Sequence, residues 1–411
     1  MIKIARMIGL ILIFGHTIQA AKQEPLNIDP KLTQAIETNN IEVISTALDN
    51  GFNVNTRDAR GETLLMFAAM FCNVKIVQLL LDCGANIDAH DDNGQTAIFY
   101  PLRNPNESDC FETLTILFDH GAEAAYSNKY GQTPLDIVYN SSSKIVQLLL
   151  EHGAPIDKNL FSRVANSGNI PVAELLLRYR QNINPSCQDI TEETPLSEAA
   201  RGAQVKMVQF LLEHGANIDG RCSSKNRSGR VLDNWTALMN AASCSYNTEE
   251  DNPNRHIEYL NTVNILLQAG ANMNLQDDHG MTAVMLAIDA TCHGAGGKQP
   301  ILGSIEGIIQ ALINHGANLN LQDNDGMTAL MLATAQSKNK TIAAMLIQAG
   351  ADITIINHDG KTAMDLTPDE NFKAYLLDIS QKYALSKKQS NTQPKKKNRK
   401  KIEKKPLLQT S

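Results

Sequence analysis

The residues able to do chemistry are numerous in this chain, with ten histidines, seven cysteines and 44 acidic side chains, so their spacing decides what they could do. Four histidines, His120, His152, His214 and His315, each stand directly before a glycine. A catalytic centre needs one constellation, whereas recurrence at one position marks a structural role, and a donor or cation suits a helix C-terminus. The cysteines, Cys72, Cys83, Cys110, Cys187, Cys222, Cys244 and Cys292, are odd in number and form no CxxC. That pattern fits neither a secreted disulfide framework nor a zinc site. HExxH, GxSxG and GxxxxGK[ST] are absent. The run LQDNDG at 321–326 has the opening pattern of a calcium loop, but Leu321 stands where a carboxylate is needed. A tight Asp-Gly turn accounts for it better, and NG at 93–94, DHG at 278–280 and DG at 359–360 occupy the same kind of turn. The residues predict a protein that is not an enzyme and has no metal or cofactor.

The elements that carry these residues follow a repeat. LLDCGANID at 80–88 returns as LLEHGAPID at 149–157, LLEHGANID at 211–219, LLQAGANMN at 266–274, LINHGANLN at 312–320 and LIQAGADIT at 346–354. A second phrase accompanies it: GETLLMFAA at 61–69, GMTAVMLA at 280–287 and GMTALMLA at 326–333. Gly51 to Gly84 is 33 residues, Gly121 to Gly153 is 32, and Gly316 to Gly350 is 34. A fixed period of this kind means stacked units, none of which buries its apolar face alone. Thr63, Thr96, Thr133, Thr194, Thr236, Thr282, Thr328 and Thr362 start the first helix of each unit, where a hydroxyl accepts from an orphaned backbone N–H. The pairs Ala68–Ala69, Ala199–Ala200 and Ala241–Ala242 let helices approach closely. Val77, Leu80 and Leu81, or Val208, Leu211 and Leu212, form the apolar stripe of the second helix. Gly84, Gly153 and Gly215 then close it in a left-handed conformation.

These phrases at this spacing resemble the ankyrin repeat, whose period is about 33 residues. The resemblance runs over about 30–383. It implies an all-α-dominated repeat solenoid of about ten stacked units, each a helix-turn-helix plus a hairpin finger, with atypical caps at 33–55 and 363–379. Two units fit poorly: Pro101 cuts a first helix short, and Arg180 stands where a closing glycine belongs. The family's usual fourth-place histidine is replaced by Met66, Asp136, Ser197, Met239, Met285, Met331 or Asp365, which predicts looser local packing. The Asp-His-His-Cys motif of ankyrin-bearing palmitoyltransferases is absent.

The ends differ from the repeats. Lys3, Arg6, an apolar run over 7–14 and Ala20 form the pattern of a secretory signal peptide over 1–20, followed by a short linker at 21–29. The expectation is an exported protein, secreted or periplasmic, with no transmembrane helix in the mature chain. Residues 384–411 carry nine lysines, one arginine and one acid, a net of +9 in a chain whose total is −7. Such a block self-repels and predicts a disordered basic tail. It could contact anionic membrane or nucleic acid.

With no constellation, the function must lie on surface. The resemblance implies that hairpin tips and first helices line a concave face that, with the inserted loops, binds a protein partner. The tip residues are Arg60, Asp91, Asp92, Tyr130, Asp278, His279, Asp323, Asp325 and His358, joined by Trp235, the chain's only tryptophan. As an exposed tip, Asp323 is expected to tolerate replacement by alanine. Insertions at 104–111, 243–256 and 290–303 interrupt repeats, and 221–233 lengthens a finger. Long loops recurring at one structural position are often functional.

Overall fold

Helix starts and stops set the architecture. The computed structural model describes residues 28–104, 106–179, 181–184, 194–225, 231–243, 255–290, 302–335 and 339–391. The expected signal peptide, nearly all of the linker, the closing residue Arg180, the inserted residues 244–254 and 291–301, and residues 392–411 lie outside them. The chain divides into two compact units, 1–183 and 184–411.

In the first unit, α1 (Pro30–Glu37) pairs with α2 (Ile41–Asp49), and α3 (Leu64–Met70) with α4 (Val74–Asp82). Two short 3-10 turns, Ala97–Phe99 and Pro101–Arg103, replace the first helix of the next pair before α5 (Glu107–Asp119). Proline lacks an N–H and cannot extend a helix through its own position, so the expected interruption at Pro101 is present. Then follow α6 (Pro134–Val138) with α7 (Ser143–Glu151), and α8 (Leu160–Ser167) with α9 (Ile170–Arg178). Neighbouring second helices pack side by side: α2 on α4, α4 on α5, α5 on α7 and α7 on α9.

The second unit repeats the plan with α10 (Pro195–Arg201), α11 (Val205–Glu213), α12 (Ala237–Ser243), α13 (Arg255–Gln268), α14 (Ala283–Asp289), α15 (Leu302–Asn314), α16 (Ala329–Ala335), α17 (Lys340–Gln348) and α18 (Glu370–Asn391). Within the lengthened finger, β1 (Cys222–Lys225) pairs antiparallel with β2 (Val231–Trp235); residues 226–230 lie outside the described residues. Helices α13 and α15, which follow the two insertions, have 14 and 13 residues against nine in α11. At the end of the unit residues 363–366 form a turn, and α18 buries Phe372, Leu376 and Ile379. It continues to Asn391, so residues 384–391, expected to be disordered, are helical.

The core is the one that the repeat pattern requires. Val77, Leu80, Val208 and Leu211 are fully enclosed, as are the alanines of the three pairs, while Leu212 is half-buried. Without long side chains between them, α10 and α12, and α12 and α14, pack closely. The second helices other than α9 and the terminal α18 end on a left-handed glycine, including Gly84 and Gly215. The histidine before it bonds backward: Nδ1 of His120, His152, His214 and His315 lies 2.8–2.9 Å from the carbonyl four residues earlier. His152 also stacks on Phe118 at 4.0 Å. These four histidines cap helices, as their recurrence predicted.

The fourth-place substitutions have a local role that packing arguments alone did not suggest. Thr63, Thr236 and Thr282 each accept from the N–H three residues on. Their own N–H groups lie 3.4–3.5 Å from the sulfur of Met66, Met239 and Met285. At Thr133 and Thr362 the carboxylates of Asp136 and Asp365 take that place at 2.9 Å. Methionine and aspartate therefore complete a reciprocal cap rather than only filling space.

Candidate protein-binding surface

The hairpin tips are rigid because one side chain holds each turn. Asp58, Asp91, Asp277 and Asp323 use one carboxylate oxygen to accept from the N–H groups two and four residues on, at 2.7–3.0 Å. Asn128 and Asn357 do the same with their amide oxygens. A left-handed glycine follows in each, except that Asn234 (φ 58°) occupies that place in one finger. Asparagine tolerates this conformation better than other side chains, and its amide donates to Asp278 Oδ1 at 2.6 Å.

Successive tips are joined by backbone hydrogen bonds. In the first unit Asp92 N donates to Arg60 O, and Lys129 N to Asn93 O, both at 2.9 Å. In the second, Asn324 N donates to His279 O at 3.0 Å and His358 N to Asp325 O at 3.1 Å. Side chains add staples. Gln276 Nε2 donates to Gly280 O within its own finger and to Gln322 O in the next, at 2.7 and 2.8 Å. Gln322 repeats this with Gly326 O and Ile356 O, at 2.6 and 2.9 Å. Arg57 spans from Gly61 O to His90 O in the first unit. The staples were not foreseen, although NLQD recurs at 274–277 and 320–323 and was the available signal.

The expected site residues fall on the tips of each unit. Arg60, Asp92 and Tyr130 are exposed on adjacent tips of the first unit, Tyr130 at 73 %. Its hydroxyl lies 3.4 Å from Asn93 Oδ1. Asp278, His279, Asp325 and His358 are exposed along the tips of the second. Trp235 is half-buried, and its indole N–H donates to Asp277 Oδ2 at 2.9 Å. Two residues leave the exposed set. Asp91 is only 4 % exposed and holds its turn, and half-buried Asp323 does the same. Their acidity reads as surface charge in the sequence, but their oxygens point inward onto backbone donors.

Behind the tips lie half-buried polar contacts. Asp136 accepts from Arg163 at 2.6 Å, with the guanidinium also over the Tyr139 ring. Burial alone would raise the Asp136 carboxyl, but the Arg163 and Thr133 bonds outweigh it and hold it below the usual range. Cys72, Cys83 and Cys110 are free thiols; burial pushes Cys72 up to about 11 and Cys110 up to about 12. Among the described residues no group of three or more His, Cys, Asp or Glu is placed to hold a metal ion. No described helix is long and apolar enough to cross a membrane.

Helix pairs mostly closed by left-handed glycines, with fingers bonded to the next finger at four described junctions, define a tandem-repeat module. The comparison with known families agrees. The model for ankyrin repeats (3 copies) matches residues 32–124, 160–250 and 255–357, and that for the single ankyrin repeat matches 130–159. The chain belongs to the ankyrin repeat family, whose repeats indicate a protein–protein interaction scaffold. It is similar to a putative ankyrin repeat-containing protein of Treponema pallidum (strain Nichols), 30% identical over 145 residues, which is 35% of this chain and 41% of that protein. It is also similar to the ankyrin repeat, SAM and basic leucine zipper domain-containing protein 1 of Notamacropus eugenii, 32% identical over 127 residues, or 31% and 22% of the two chains. The matched region therefore spans less than half of either relative.

Proposed function

We propose that this protein is a non-catalytic scaffold or secreted effector that binds a protein partner through its fingertips, first helices and inserted loops. The observation that carries the reading is the construction of the tips. Exposed side chains such as Tyr130, Asp278 and Asp325 stand on backbone fixed by turn, inter-finger and staple hydrogen bonds. A partner meeting such a surface loses little additional conformational entropy on the protein's side, which favours affinity. The acidic and histidine tips of the second unit suit a partner with basic or hydrogen-bonding groups. The sequence of 1–20 supports export, and N-terminal sequencing of the protein from its own cell is expected to begin near Ala21.

A second reading places the binding in the tail, because residues 384–411 carry a net +9 and would attract anionic membrane or nucleic acid. Affinity capture separates the two. With surface binding, deleting 392–411 leaves the partner bound. Deleting 245–254 or 291–301, or reversing Asp278 and Asp325 to lysine, weakens capture. With tail binding the order inverts, and raised salt abolishes capture because exposed charges are screened within about 8 Å at physiological ionic strength. A partner kept by every loop and tip variant but lost with the tail would overturn the fingertip reading.

A further inference from the structure

The strongest unexplained feature is a single hydroxyl set between two carboxyl groups. Tyr100, 2 % exposed, lies between the two 3-10 turns of the interrupted repeat. Its hydroxyl is 3.1 Å from Asp91 Oδ2 and 3.2 Å from Glu62 Oε1. Asp91 and Glu62 belong to adjacent fingers, so the three groups join two fingers to the repeat beneath them. A phenol carries one proton and can donate to only one of these oxygens at a time. If both carboxyls are ionised, one short oxygen–oxygen contact has no proton in it, and two like charges face each other.

The surroundings decide which carboxyl takes the extra proton. Asp91 is solvated by donors: Oδ1 accepts from Asn93 N at 2.9 Å and Gln95 N at 2.7 Å, and Oδ2 from Asn93 Nδ2 at 3.3 Å. Those three donors fill acceptor positions on its two oxygens. Glu62 has no comparable set. Arg60 reaches its second oxygen at 2.6 Å, without hydrogen-bond alignment, from a side chain that is 70 % exposed. Asp58 lies on the same finger, 3.6 Å from Arg60 Nε. Arg103 stands over the Tyr100 ring, 6.0 Å from its centroid. We propose that Glu62 accepts this proton in mild acid, forming a chain in which Glu62 donates to Tyr100 and Tyr100 to Asp91, a latch that ties the two fingers together and loosens when Glu62 ionises.

The direction of the pH dependence follows. Burial raises the Glu62 carboxyl above its ordinary 4.5; Arg60 opposes this, Asp58 adds to it, the Tyr100 bond opposes it and Asp91 adds to it. A group raised in the folded state contributes stability that is present below its unfolded value and is lost as pH rises through its folded value. The latch therefore tightens as pH falls toward 4.5, against the usual trend of acid destabilisation. The same proton weakens the Arg60 ion pair and frees a fingertip cation. That last consequence rests on the binding reading above; the latch does not.

Hydrogen exchange of the full chain, normalised for intrinsic rates across pH ~7.5 to ~4.5, tests the latch on segments 58–62 and 91–100, with 323–327 as reference. Wild-type protection in the two test segments, relative to the reference, should rise as pH falls. Each unit by which Glu62 is raised is worth about tenfold in protection. Glu62→Gln should give high protection at every pH, because its amide donates permanently to Tyr100. Tyr100→Phe should give low protection that does not follow pH. The proposal is overturned if wild type and Glu62→Gln share one pH profile, or if Tyr100→Phe keeps the wild-type rise. Should Tyr100→Phe fail to fold, the comparison of wild type with Glu62→Gln decides alone.

Discussion

Replacing one fingertip glycine by alanine measures how tightly the fingers are stacked. Gly326 and Gly360 hold the same place in successive fingers of the second unit, with φ of 77° and 74°. A Cβ on Gly360 meets nothing within 4 Å, whereas one on Gly326 would lie 2.8 Å from His358 N and 3.1 Å from Asn357 Cα. The left-handed conformation costs an L-residue about 1–2 kcal/mol, offset by about 0.4–1 kcal/mol because alanine has less freedom to lose from the unfolded chain. Gly360→Ala should therefore cost about 1 kcal/mol. Gly326→Ala carries the same term and must also push away the backbone of the next finger. That breaks or strains the His358 N to Asp325 O bond, which is 3.1 Å long. The bond is worth about 0.5–1.5 kcal/mol, and the overlap adds about 1–3 kcal/mol. The expected total is about 3–5 kcal/mol. Urea unfolding followed by fluorescence of Trp235, which lies in the same unit, measures both variants. Equal costs within ~0.5 kcal/mol would refute the close approach of the two fingers. Asn234→Gly is a control: it should lose mainly the amide bond to Asp278, since that position already has positive φ.

Other substitutions probe different layers of the fold. Leu211→Ala removes a fully enclosed side chain and should cost about 2–5 kcal/mol in the same urea assay. Asp323→Ala should cost about 1–3 kcal/mol, because it orphans the N–H groups of Asp325 and Met327, while Asp325→Ala should stay within ~0.5 kcal/mol. Equal effects of these two aspartates would contradict the turn assignment. In native alkylation mapped by peptide, exposed Cys83 should react, and Cys72 and Cys110 should react only on unfolding, because burial keeps both thiols protonated at neutral pH. Early labelling of Cys110 would show that the segment around α5 opens readily.

The sequence by itself determined whatever depends on neighbours a few residues apart. The threonine caps, the left-handed glycines, the four capping histidines, the stripe of Val77 and Leu80, the interruption at Pro101 and even Asn234 in a glycine's place could all be read from the chain. Each is a contact spanning four residues or fewer, and the repeat shows it many times. The exposed tips Arg60, Asp92, Tyr130, Asp278, His279, Asp325 and His358 were legible for the same reason, since a turn residue not used by its own backbone faces water. Tertiary structure decided the partners that lie 30 or more residues away. Asp91 and Asp323 hold the same place in their turns, yet Asp91 is enclosed and Asp323 is half-buried. The Glu62–Tyr100–Asp91 chain likewise left no distinct mark in the sequence, and the reach of Gln276 and Gln322 to the next finger left only a recurring NLQD. Glu62 and Tyr100 are 38 residues apart. Only stacking one finger on the next brings a carboxyl to that hydroxyl and excludes the water that would otherwise solvate it.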